Sequence, residues 1–176
     1  IGGLSVAVKT AGVPMIEERA VKRDASLRGA MGSQPSSGNH PAYGRPTDFF
    51  SRRPTTRMGV EWEWRKAFFD AAQAREAGEE ATASAQGLLD VLDGKRPLMV
   101  QAWATQDIRT AVFFKEEMAK EGFGEITLIV DAAAEAWREP ELLVRSKTSV
   151  VLPPFPDSGR TGDSAFMALS TAKTLV

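Results

Sequence analysis

An α/β fold is predicted by three observations, all in the second half of the chain. Short runs rich in apolar and β-branched residues recur at 98–102, 126–130 and 149–152. A helix-length pattern fills each interval between them, and glycine or proline closes the segments. Together these read as a βαβαβ unit over 97–152, with parallel strands buried on both faces. A (β/α)8 barrel and a doubly wound parallel sheet satisfy that pattern equally well. No G-x-G-x-x-G or G-x-x-x-x-G-K follows any strand, so the nucleotide-binding form of the doubly wound sheet receives no support from motifs.

Taken in order, GGLSVAVKTAG places Leu4, Val6 and Val8 at period two and predicts a short strand ending at Gly12. Residues 14–31 are mixed. Met15, Ile16, Val21 and Leu27 fit an extended segment followed by a helical turn. Residues 32–57, rich in Gly, Ser, Pro and Arg, predict a long irregular loop of the kind that carries function when it lies inside a domain. A helix is then expected over 58–80. Trp64, Phe68 and Ala72 share one of its faces, with Trp62, Phe69 and Gln73 beside them. Glu61–Arg65 and Glu63–Lys66 are spaced for ion pairs. A second helix covers 81–92, with Gly94 as its C-cap.

After strand 98–102, a helix over about 106–121 has Thr105 as its N-cap. Its inner face is traced by Ile108, Val112, Lys115 and Ala119 and flanked by Phe113; Gly122 and Gly124 end it. Strand 126–130 leads to a helix around 135–146 that Pro140 interrupts. Strand 149–152 is closed by Pro153-Pro154.

Composition limits the chemistry. The chain has 176 residues, enough for a sizeable single core, with 22 basic and 23 acidic residues and a net charge of −1. That balance carries no footprint for nucleic acid or an anionic membrane. No apolar run approaches the roughly 18 residues of a membrane helix. Without cysteine there is no thiolate ligand or nucleophile, and either redox compartment suits the chain, a cytoplasmic location being the default expectation. The one histidine, His40, lies in GSQPSSGNHPAYGRP, so a multi-histidine metal site cannot be assembled from this sequence. No cofactor is evident. Ser36, Ser37 and Asp48 form no nucleophile elbow around His40.

Two stretches carry a family resemblance. GRPTDFFSRRPTTRMGVEWEWRKAF resembles the segment of imidazolonepropionase-like amidohydrolases in which a T-R-M-G loop enters a helix. PLMVQAWATQDIRTAV resembles the strand written roughly P-V-x-V-H-A-H-x-x-D-D-I in that family. ITLIVDAAAEAW resembles the next strand, which ends in a histidine shortly before Glu-Ala-Tyr, and GGLSVAVKTAG is similar to a glycine-rich stretch of the group.

The resemblance implies the middle of one (β/α)8 barrel domain spanning 1–176, with divalent, zinc-type metal at the C-terminal strand ends and hydrolysis of C–N bonds. It also implies a His-x-His pair before Ile1 and an Asp after Val176. The chain is therefore expected to be a segment of a longer barrel, prone to oligomerise through uncovered edges. Matched residue by residue, the paired histidines of the central strand fall on Gln101 and Trp103. The histidine of the following strand falls on or beside Asp131, Ala132 and Ala133, whereas Arg57, Met58, Gly59, Asp107 and Ile108 are kept. Gln101 offers a neutral oxygen and Trp103 only an N–H donor, so the scaffold is kept while the ligands are replaced.

This leaves two functional expectations, a hydrolase of C–N bonds active with an altered site or with ligands outside this segment, and a catalytically inactive barrel serving as a binding or scaffold protein. Lys9, Arg57, Gln101, Trp103, Asp131, Ala132 and Arg160 are the pocket-lining candidates. Lys9 is otherwise an ordinary surface lysine, although some of these barrels carry a bridging lysine on a strand. Arg52, Arg53 and Arg57 form a basic cluster suited to a planar anion. Arg160 lies with Asp157 and Asp163 in PPFPDSGRTGDS, on the side where a barrel binds ligand.

Overall fold

A computed structural model describes residues 2–36, 53–154, 167–168 and 170–175. Two short strands open it, β1 (Ala7–Val8) and β2 (Ala20–Lys22), paired antiparallel. Then come β3 (Leu27–Ala30), α1 (Arg57–Glu76), α2 (Ala83–Leu92), β4 (Leu98–Gln101), α3 (Thr105–Lys120), β5 (Leu128–Asp131), α4 (Pro140–Arg145), β6 (Ser149–Val151) and α5 (Thr171–Thr174). Strands β3 to β6 form one parallel sheet, and their order across it is their order in the chain.

Register decides which side chains meet the helices. Leu27, Leu98 and Leu128 stand side by side, as do Gly29, Val100, Val130 and Val150. Because alternate residues of a strand face opposite ways, these two rows share one face of the sheet. That face is the core: Leu98, Val100 and Val130 are fully buried, packed with Trp64 and Phe68 of α1, Leu92 of α2, and Ile108, Val112 and Phe114 of α3. Trp64, Phe68 and Phe114 form an aromatic cluster with ring centroids 5.0–6.2 Å apart. Each such buried side chain contributes about 1.5–3 kcal/mol. Trp64 sits directly on β3, where a Cβ at Gly29 would come 2.4 Å from its ring, and its indole N–H donates to the Ala30 carbonyl at 3.2 Å. A glycine at this place is what lets the largest core side chain approach the sheet.

The other rows, Arg28, Met99, Ile129 and Ser149, then Ala30, Gln101, Asp131 and Val151, lie on the opposite face. None of them is fully buried. The expectation of strands buried on both faces is therefore corrected. The alternation was masked because Met99 and Ile129 are apolar although they stand on this partly exposed face.

Helix starts follow from local capping. The Thr56 hydroxyl accepts from Gly59 N at 3.0 Å and the Thr82 hydroxyl from Ala85 N at 3.2 Å, fixing α1 and α2. At the far end of α2 the capping residue is Asp93, one place before the expected Gly94, which follows it with φ +69°. Pro140 does interrupt the expected 135–146 helix, leaving a 3-10 turn at Ala136–Arg138 before α4.

Other departures are larger. Leu27–Ala30 is a strand and not a helical turn. Leu4 and Val6 are half exposed, β1 reduces to two residues, and the chain from Gly2 to Ser5 instead runs antiparallel along the outer edge of β3. Gly2 N donates to Arg28 O at 2.7 Å and Arg28 N to Gly3 O at 2.9 Å. On α3, Phe114 and Met118 point inward while Phe113 and Ala119 are exposed. Glu61 pairs with Arg65 as expected, but Lys66 pairs with Asp70 and not with Glu63.

Candidate functional site

The four parallel strands end in one row, Ala30, Gln101, Asp131 and Val151. Arg28, two residues before the end of β3 on the same face, reaches across β4 and forms an ion pair with Asp131 Oδ2. The other oxygen of Asp131 accepts Ala132 N at 3.0 Å, so both carboxylate oxygens are engaged. Gln101 lies between them, half-buried, on the intervening strand.

Ala132 turns the chain out of β5 with φ +56°, a left-handed conformation that costs an L-residue about 1–2 kcal/mol. Trp103 lies two residues beyond the end of β4. It is half-buried, and its carbonyl accepts Glu135 N at 3.1 Å. Glu135 is itself buried. Its Oε2 accepts Thr105 N at 2.9 Å and the Thr105 hydroxyl at 2.5 Å. The N-cap position of α3 is Ala104, not Thr105, and the capping group comes from the next strand's loop. A carboxylate at this end is also the favoured charge for the helix dipole.

A second ion pair joins the two stretches that carry the family resemblance. Arg57 Nε, at the start of α1, meets Asp107 Oδ1 at 3.0 Å, and Asp107 is buried in the first turn of α3. Gly32 passes against this pair with φ +104°, and a Cβ there would stand 2.6 Å from Asp107 Oδ2. Met31, Gly32, Arg57, Gln106 and Asp107 border a cavity of about 250 Å³.

A larger cavity, about 480 Å³, opens at the end of β3. Its walls include Arg28, Gln34, Pro35, Pro54, Val60, Glu63, Trp64 and Gln101.

Of the residues singled out from sequence, Gln101, Asp131 and Ala132 meet at the strand ends, Trp103 lies just past them, and Arg57 occupies the neighbouring ion pair. Lys9 does not join them: it is exposed after β1, its backbone N donating to Arg19 O at 3.0 Å. Arg160, together with His40, Ser37, Asp48, Arg52, Asp157 and Asp163, lies outside the described residues. Arg28, Glu63 and Glu135 were missed. Arg28 carried no signal because LRGA did not read as a strand, whereas Glu135 stands inside the quoted ITLIVDAAAEAW and was legible as part of that motif.

The residues at the strand ends do not fit a zinc-type ion. One carboxylate is already neutralised by a guanidinium, and its partners in the row are an amide and two aliphatic side chains. Among the described residues no three His, Cys, Asp or Glu side chains gather as a metal site. Nor is any described helix long and apolar enough to cross a membrane.

No protein-family model and no curated protein matches the chain. A solved structure does. The chain is similar to an amidohydrolase from Thermotoga maritima MSB8, with 26% identity and a TM-score of 0.75, over 99% of this chain and 44% of that one. It is therefore amidohydrolase-like, and it spans less than half the length of that neighbour.

Proposed function

We propose that this chain is a stretch of amidohydrolase-like barrel wall whose strand ends bind a small molecule without the metal chemistry of the family. Sequential strand order favours the barrel over the doubly wound sheet, in which the order reverses at a switch point and both faces are covered by helices. In a barrel the uncovered face of β3 to β6 is the interior and the row ending in Gln101 and Asp131 is the binding rim.

The ion pair between Arg28 and Asp131 carries the reading. A fixed guanidinium supplies the positive charge at the rim, and a divalent cation placed beside it would meet repulsion and a carboxylate already in use. Zinc titration followed by desalting and elemental analysis tests this. Sub-stoichiometric zinc is expected, and one equivalent retained through Asp131, lost in Asp131→Asn, overturns it.

A second reading is a hydrolase of C–N bonds whose metal ligands come from other parts of the fold. The likeness to an amidohydrolase favours it. Zinc-dependent amide hydrolysis that survives Asp131→Asn would support this reading over the first.

Oligomerisation belongs to the same proposal. The outer edge of β6 has no paired strand among the described residues, and a strand edge left open recruits another. Size-exclusion chromatography of the chain alone is expected to give dimers or larger species. A compact monomer with a single cooperative melt counts against the barrel-wall reading.

A further inference from the structure

We propose that the 480 Å³ cavity at the end of β3 takes an amino acid in its zwitterionic form, with an apolar body against Val60 and Trp64. The inference rests on the metal-free reading of the strand ends and names the ligand class. A volume of this size falls within the roughly 300–1,000 Å³ typical of small-molecule sites.

Its charges are of both signs. Arg28 presents five N–H donors, of which the bond to Asp131 uses one, and its side chain remains 47% exposed. Glu63 borders the same cavity from α1, one residue before Trp64. Its acidic neighbours on that helix are paired, Glu61 with Arg65 and Asp70 with Lys66, whereas Glu63 makes no ion pair or hydrogen bond among the described residues. Gln34 and Gln101 border the same space, and their amides, each both donor and acceptor, are likewise without partners there.

This arrangement discriminates by charge. A simple carboxylate is drawn to Arg28 but leaves Glu63 facing a like charge. A simple amine meets the converse conflict with Arg28. A neutral apolar molecule would strip water from four polar side chains and return no hydrogen bonds. A molecule bearing both an ammonium and a carboxylate satisfies Glu63 and Arg28 at once, and the two amides take up its remaining donors and acceptors.

Isothermal titration calorimetry on the EDTA-treated full chain tests the idea. L-leucine and 6-aminohexanoate are the probes, chosen for two charge spacings. Leucine is set against 4-methylpentanoate and 3-methylbutylamine, and 6-aminohexanoate against hexanoate and hexylamine. At least one zwitterion is expected to bind about tenfold or more tightly than both of its single-charge homologues, the scale of one charge-assisted hydrogen bond. Glu63→Gln should erase the advantage over the carboxylate homologue. It should leave the melting temperature unchanged, because Glu63 holds no partner in the fold.

Equal binding of zwitterion and homologue, absence of binding by both zwitterions, or an advantage that persists in Glu63→Gln overturns the proposal. Retention of one equivalent of zinc after zinc titration and desalting of the protein overturns the metal-free reading instead, and the Glu63→Gln comparison on the zinc-free protein distinguishes the two failures.

Discussion

The two faces of the parallel sheet are built from the same four strands yet obey different rules. On the helix side, Leu27, Leu98, Leu128, Val100 and Val130 are buried against three helices, and a glycine admits Trp64 to van der Waals contact. On the other side stand an arginine, a glutamine and an aspartate, half-open to solvent and linked by one ion pair. Stability therefore resides on the first face, and the second is free to hold polar groups that a core would not tolerate.

Substitutions can break that contrast. Trp64→Ala removes the centre of the aromatic cluster and should cost about 3–5 kcal/mol in denaturant unfolding. Gly29→Ala thrusts a methyl group into the same ring and should cost about 1–3 kcal/mol through overpacking. At the rim the sign reverses: Ala132→Gly relieves a left-handed backbone and should raise stability by about 1 kcal/mol, read as an upward shift in melting temperature. Asp131→Asn should change stability by no more than about 1 kcal/mol, because its partner is nearly half exposed and screened by water. A loss at Asp131 as large as that at Trp64 would erase the distinction between the faces.

The smallest effect lies away from both. Lys95, and after it Arg75, hold the Asp93 carboxyl below the usual carboxylate range. A carboxyl depressed on folding stabilises the protein above its unfolded-state pKa of about 4 and loses that contribution as pH falls through the folded value. Asp93→Asn should flatten the stability profile on the acid side alone, measured by thermal melts from neutral pH downward.

Much of the helix side was legible from sequence, because length and apolar spacing specify it. The runs at 98–102 and 149–152 became β4 and β6 within a residue. Trp64, Phe68 and Ala72 are buried together as their spacing of four requires. The strand expected at 126–130 was displaced toward Leu128–Asp131, since Ile126 is buried without belonging to the ladder.

The uncovered side was harder to read. LRGA has one large apolar residue, an arginine on the open face and a glycine whose purpose appears only once Trp64 is seen above it, so β3 gave no strand signal. In α3, adjacent phenylalanines left the inner face ambiguous by one position. The carboxylate that caps α3 is 30 residues from Thr105, and no local pattern announces it.

That distant cap ties two adjacent rim segments into one opening unit. The Thr105 amide is shielded from solvent only while the loop after β5 stays folded, and the Glu135 amide only while the Trp103 carbonyl stays in place. Deuterium uptake at the two amides should proceed at matched rates, so any molecule that pins one segment slows exchange in both.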